Sequence, residues 1–216
     1  MKKYILLSSI IFSALVGKTQ MKFYVQSGLI TTYNHVPNHL NGGQKYKRYS
    51  SFDAGVSFKT HLYKKLHSES GIFYNQKGYQ FYNDTIPDFE VSGYFHVNYL
   101  TLNQNFVLLL YKKKNMHLFT GAGAFLANAI SGKYVRDVIG IGGLMHEEGK
   151  INIGYGSTDQ FRPWDTGLNF LLRLGYRKMD ITAMSSPSLT SHVTKASQQN
   201  NKEKLQSLSF NLGYNF

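Results

Sequence analysis

The sequence predicts an all-β fold: an eight-stranded, antiparallel, up-and-down transmembrane β-barrel. Three observations carry this. Successive segments alternate apolar and polar side chains with period two, as strands do and helices do not. The connections between those segments alternate long and short, as in barrels with long external loops and short periplasmic turns. Beyond the first residues, no stretch approaches the roughly 18 apolar residues a membrane helix requires, so only a closed barrel could satisfy every backbone group in lipid.

Composition agrees. Charged residues are 17%, below the roughly 25% of soluble domains. The 16 Tyr and 15 Phe suit pleated surfaces, and the 20 Gly serve turns and tight corners. No Cys is present, which excludes disulfides, thiolate metal sites and a lipoprotein anchor. The net charge of +12 favours anionic partners such as lipopolysaccharide phosphates and other outer-membrane lipid headgroups. Three of the cations, Lys2, Lys3 and Lys18, fall in a distinct N-terminal segment. There, two lysines precede the apolar run 4–16, followed by the small residues Gly17 and Thr19. That pattern marks residues 1–19 as a secretory signal peptide and 20–216 as the barrel domain. Export makes nucleic acid an unsuitable partner and the outer membrane the expected location.

The first strand spans about 22–33, with Phe23, Val25, Leu29 and Tyr33 facing outward. In the second, Phe52, Ala54, Val56 and Phe58 alternate with Asp53, Gly55, Ser57 and Lys59. The third covers about 66–81, the fourth 94–111 and the fifth 116–129. The sixth sets Leu168, Phe170, Leu172 and Leu174 against Gly167, Asn169, Arg173 and Gly175. The seventh, about 179–189, has the weakest pattern, and the eighth alternates regularly to Tyr214 and Phe216. Long loops are expected at 35–49, 82–93, 130–164 and 190–204, and short turns at 63–65, 113–115 and 177–178.

The stretches Gly71-Ile72-Phe73-Tyr74-Asn75-Gln76-Lys77-Gly78-Tyr79, Asp165-Thr166-Gly167-Leu168 and the closing Leu208 to Phe216 resemble segments of the PorT-like outer-membrane β-barrel family. The chain departs from that family at Leu102-Asn103-Gln104, where an apolar-Pro pair is usual. The resemblance implies an eight-stranded outer-membrane barrel, with a secretion role in some members. An aromatic last residue in such barrels looks like the signal read by the barrel-assembly machinery, here Tyr214 and Phe216.

An eight-stranded interior is only wide enough for side chains, so a polar plug is expected from Asp53, Lys59, Glu69, Lys77 and Arg173, with mixed-sign pairing. Lys45, Lys47 and Arg48 interleave with Tyr46 and Tyr49 and suit anion contact at a strand end. His67 and Glu69 share a face beside Ser68 and Ser70, the raw material of a lipid A deacylase-like or acyltransferase-like site. The neighbouring serines point to the other face, however, so no catalytic residue is expected. His61, His67, His96 and His117 have no spacing that fixes a metal site. Gly140-Ile141-Gly142-Gly143 lacks the strand, helix and Lys of a phosphate loop and reads as a flexible external loop. The sequence thus points to a non-enzymatic barrel without cofactor or metal, with a structural, adhesive or assembly/secretion-associated role through external loops and secretion or envelope proteins as partners. A lipid-modifying enzyme and a small pore are the alternatives.

Overall fold

The computed structural model describes residues 21–35, 45–86, 89–156, 158–192 and 203–216. The expected signal peptide, and parts of the first and last long loops, lie outside the described residues. Among the described residues there are nine strands: β1 (Met21–His35), β2 (Lys45–Tyr63), β3 (Leu66–Ile86), β4 (Phe89–Lys113), β5 (Met116–Gly140), β6 (Gly143–Lys150), β7 (Trp164–Tyr176), β8 (Met179–Pro187) and β9 (Lys204–Asn215). All strand pairings are antiparallel.

Eight of these strands close a ring. Each pairs with the next, β5 skips to β7, and β9 returns to β1 over Tyr24↔Asn215 to His35↔Lys204. β6 stands outside the ring. β7 leaves the edge of β5 at Asn128↔Trp164, and β6 takes that edge from Lys133↔Lys150 to Gly140↔Gly143. The hairpin β5–β6 therefore extends one side of the barrel beyond its long-connection end.

The two faces of the wall are inverted relative to a soluble protein. Outward Leu172, Phe210 and Leu212 are 52%, 56% and 58% exposed, while inward Asp53, Asn169 and Arg173 are each 1% exposed. Water would penalise that arrangement and lipid rewards it. Tyr63, Tyr111, Tyr176 and Tyr214 ring the short-turn end of the apolar belt. Tyr33, Trp164 and the stacked Tyr49, Tyr94 and His96 mark its other end. Phe23 to Tyr33 is ten residue steps, about 33 Å of strand, or about 25 Å along the barrel axis at a typical tilt, the height of a lipid-facing band. The belt is interrupted at Gln104, which donates to Ser68 at 2.8 Å and accepts from Ser70, so its amide is satisfied within the wall.

Strand lengths depart from the sequence expectation at the long-connection end. The expected loop 82–93 is mostly strand, because β3 and β4 continue pairing to Ile86↔Phe89. The expected loop 130–164 holds the end of β5, all of β6 and an inward-folded segment, and Gly140 to Gly143 forms a hairpin turn. Above the belt, no lipid requires an apolar outward face, so the period-two signature fades although the ladder continues.

Each short turn places its first residue in the left-handed region: Lys64 (φ 46°), Lys114 (φ 48°) and Arg177 (φ 54°). Such backbone favours Gly or Asn. These turns carry basic side chains instead.

Candidate functional site

The barrel interior gathers the chain's buried charge. Strand alternation aims Glu69 from β3 and Arg173 from β7 into the lumen, where they meet as a bidentate pair, Nη1 to Oε2 at 2.6 Å and Nη2 to Oε1 at 2.8 Å. Arg173 Nε donates to Thr182 at 2.8 Å, and its guanidinium lies 5.5 Å from the centre of the Tyr24 ring. Both charges are nearly unexposed, so each depends on the other for compensation. A side chain at Gly175 would run into the His117 ring and the Asp180 carboxylate, so this glycine makes room for their 2.8 Å contact.

Toward the long-connection end, Asn169 donates to Asn103 and Asn105 at 3.2 and 3.1 Å and accepts from Ser186 at 2.8 Å. Asn211 donates to Asp53 at 3.1 Å. Lys77 pairs with Asp165 at 3.3 Å, and Ser188 and Thr190 also donate to that carboxylate. The Lys77 ammonium sits 4.4 Å over the Phe125 ring. The cavity left at mid-barrel is about 10 Å³, room for at most about one water. It is lined by Gln26, Glu69, Asn103, Arg173 and Asn211 among others.

The lumen is not polar throughout. Its long-connection half is an apolar core of Tyr79, Phe95, Val97, Tyr99, Phe125 and Leu205. Ile151 and Phe161, from the segment between β6 and β7, fold in over that core. Arg162 donates its amide to the His192 carbonyl at 2.8 Å, tying this lid to the β8–β9 connection. His192 is buried against Phe161, ring centres 5.3 Å apart. Burial pushes its pKa down to about 3, so the ring is neutral and its 3.7 Å approach to Glu203 is not an ion pair.

All five expected plug residues point inward, but they pair only in part with one another. Glu69 and Arg173 do; Lys77 takes Asp165, and Asp53 takes Asn211. Lys59 packs its ammonium over the Phe119 and Tyr24 rings at 4.0 and 4.8 Å. Asp165 shares its strand parity with Asn169 and Arg173, the signal that could have found it. Lys45 and Lys47 lie outside the barrel about the Tyr82 ring, 6.0 and 5.9 Å from its centre, and Arg48 is exposed beside them. Tyr214 and Phe216 meet edge to face, ring centres 5.0 Å apart, on the outer wall, and the Phe216 amide donates to the Phe23 carbonyl at 3.1 Å.

Glu69 is held by Arg173, and His67 lies against the Lys65 carbonyl at 3.1 Å, so the two do not form a catalytic pair. His61, His67 and His117 line one mouth of the barrel, whereas His96 stacks on Tyr49 near the other. Among the described residues no three His, Asp or Glu side chains converge as metal ligands.

No family model matches the chain, and no characterised protein matches it in sequence. Solved structures do resemble it. The attachment invasion locus protein Ail of Yersinia pestis is 12% identical, with 91% of this chain and 99% of that one covered at a TM-score of 0.42. Neisserial surface protein A is 13% identical, covering 90% and 97% at a TM-score of 0.41. The outer membrane protein OprG of Pseudomonas aeruginosa is 12% identical, covering 93% and 98% at a TM-score of 0.46. The chain's own ring closure, rather than these likenesses, fixes the fold.

Proposed function

We propose that the protein spans the outer membrane of a Gram-negative cell as a sealed barrel, with short turns toward the periplasm and the long-connection end outside. It acts through contacts made by that external end, not through catalysis or transport. The observation that carries this reading is the inverted wall: an apolar belt of membrane height around a lumen filled by charge pairs and closed by an apolar core. The motif likeness to PorT-like barrels supports the location. Its secretion role is not adopted, because no contact described above speaks for it.

The external end offers a specific contact surface. At the tip of β5–β6, Ile139, Ile141, Leu144 and Met145 are exposed, Ile141 by 90%. Gly140 lies ten residues beyond Ile130, so the tip stands about 25 Å along the axis above the belt at a typical strand tilt. Exposed apolar side chains on a paired hairpin, clear of the membrane, suit an adhesive or assembly contact with another envelope or surface protein.

Planar-bilayer recording of the purified barrel tests the seal, with no discrete conductance expected. Steady ohmic steps would replace this reading with a pore. Surface attachment or partner co-purification should fall in the doubly substituted Ile141→Asp, Leu144→Asp variant while heat-modifiable gel mobility stays unchanged. Equal attachment by the variant would remove the hairpin tip from the proposal.

A further inference from the structure

The short-turn mouth of the barrel holds a cavity of about 270 Å³, far larger than the space at mid-barrel. Lys22, Lys59 and Lys112 line it, with His61, His67 and His117, and the rings of Tyr24 and Phe119 and the side chain of Leu109 complete the walls. Among the described residues, no carboxylate lies within ion-pair distance of any of the three lysines. The two carboxylates nearest this chamber are engaged: Glu69 by both outer nitrogens of Arg173, and Asp180 by His117.

Lys59 is the telling residue. It is 4% exposed, and its ammonium lies 4.0 Å from the Phe119 ring centre and 4.8 Å from that of Tyr24. Rings stabilise a desolvated cation but supply no counter-charge. Glu69 and Asp180 act on this buried cation only from beyond ion-pair distance and are engaged elsewhere, so an anion within the chamber would add compensation that the protein itself does not supply at contact. The cavity is lined by three lysines and three imidazoles and bounded on its inner side by the neutral Glu69–Arg173 pair, with one carboxylate, Asp180, held on His117, so the lysines set a local field that favours a negative group. The tight turns add to this field, with Lys64, Lys65, Lys113, Lys114, Arg177 and Lys178 at the rim. Three of those residues hold the left-handed backbone positions that Gly or Asn would occupy with less strain.

We propose that this mouth is a binding site for a small organic anion, a carboxylate or phosphate ester with an apolar or aromatic body. The acidic head sits on the Lys59 ammonium, with Lys22 and Lys112 contributing field. The body packs against Leu109, Phe119 and the His61 and His67 rings, which stand edge to face 5.2 Å apart. The volume admits a small molecule or one end of a chain, not a folded domain. The site stands whichever compartment this mouth faces.

The test uses the full barrel folded in a maltoside detergent, whose neutral headgroup does not compete. Phenyl phosphate is titrated while backbone amide shifts are followed by NMR, with inorganic phosphate (head only) and phenol (body only) alongside. Saturable shifts at Tyr24, Lys59 and Phe119 are expected with phenyl phosphate, weaker ones with phosphate, and none with phenol. Lys59→Met should weaken binding about tenfold or more, and Lys150→Met, exposed at the other end of the barrel, should leave it unchanged. Unaltered affinity in Lys59→Met overturns the proposal. So do shifts confined to the rim lysines, or phenol shifting the same amides as phenyl phosphate. Should Lys59→Met lose its heat-modifiable mobility, Lys112→Met and the wild-type shift map decide the matter by the same criteria.

Discussion

Glu69 and Arg173 illustrate what burial asks of a charge. Each takes its compensation from the other, so removing one leaves the other alone in a dry lumen. Arg173→Met is expected to cost about 3–5 kcal/mol of folding free energy, measured by denaturant titration in lipid vesicles. The double change with Glu69→Leu should recover most of that loss, and a double variant no better than the single one would refute the coupling. Asp53 is the contrast: one of its oxygens has a single donor, Asn211, and the other has no partner. Asp53→Asn should therefore leave stability unchanged or raise it by about 1 kcal/mol. His192 gives a pH dependence. Its folded pKa of about 3 lies below the ordinary 6.5, so between those values the unfolded chain binds a proton that the folded chain refuses. Stability of the lid is intact above about pH 6.5 and declines as pH falls toward 3. Amide protection at Arg162, which donates to the His192 carbonyl, should drop across that window and stay flatter in His192→Gln. An identical decline in both proteins would remove His192 as the cause.

The elements show why the sequence is legible in one zone and silent in another. Within the lipid belt, alternation is dictated by two media, and β7 and β9 can be read directly from Leu168 to Tyr176 and Leu208 to Tyr214. Above the belt, both faces of β3, β4 and β5 meet water or packed loops, so Tyr82-Asn83 and Arg136-Asp137 read as loop although they are laddered. The interior charges were visible by parity, since Asp53, Glu69, Lys77 and Arg173 each interrupt an otherwise small or polar face. Their partners were not, because pairing across the lumen joins strands 88 or 104 residues apart. The apolar half of the lumen was hidden for the same reason: Ile151 and Phe161 carry no strand period. The β5–β6 hairpin rests on its own ladder and on β4, outside the ring, with only Tyr134 at its base packed against the apolar core. Replacing residues 134–149 by a short Gly-Ser turn should keep the closed barrel, read as retained heat-modifiable mobility. Loss of that mobility would show the hairpin to be part of the barrel's closure. Among the turns, Lys114→Asn should raise stability by up to about 1 kcal/mol, since Asn tolerates the left-handed region better than Lys.

At the scale of the molecule, three zones stack along one axis: a basic mouth, a plug of charge pairs and amides, and an apolar core under a folded lid. The plug and core leave the outer surfaces and the mouth as the places where chemistry can act. This arrangement is stable only if lipid surrounds the belt, and the single tryptophan reports on that directly. Trp164 faces outward where β7 meets the long-connection edge of the belt, 45% exposed. In vesicles of brominated phospholipid, its fluorescence should be quenched most by bromine placed near the headgroup and less by bromine near the chain ends. A Trp164→Phe, Leu172→Trp variant should reverse that order. Fluorescence indifferent to bromine at either depth, in both proteins, would contradict a membrane-spanning barrel.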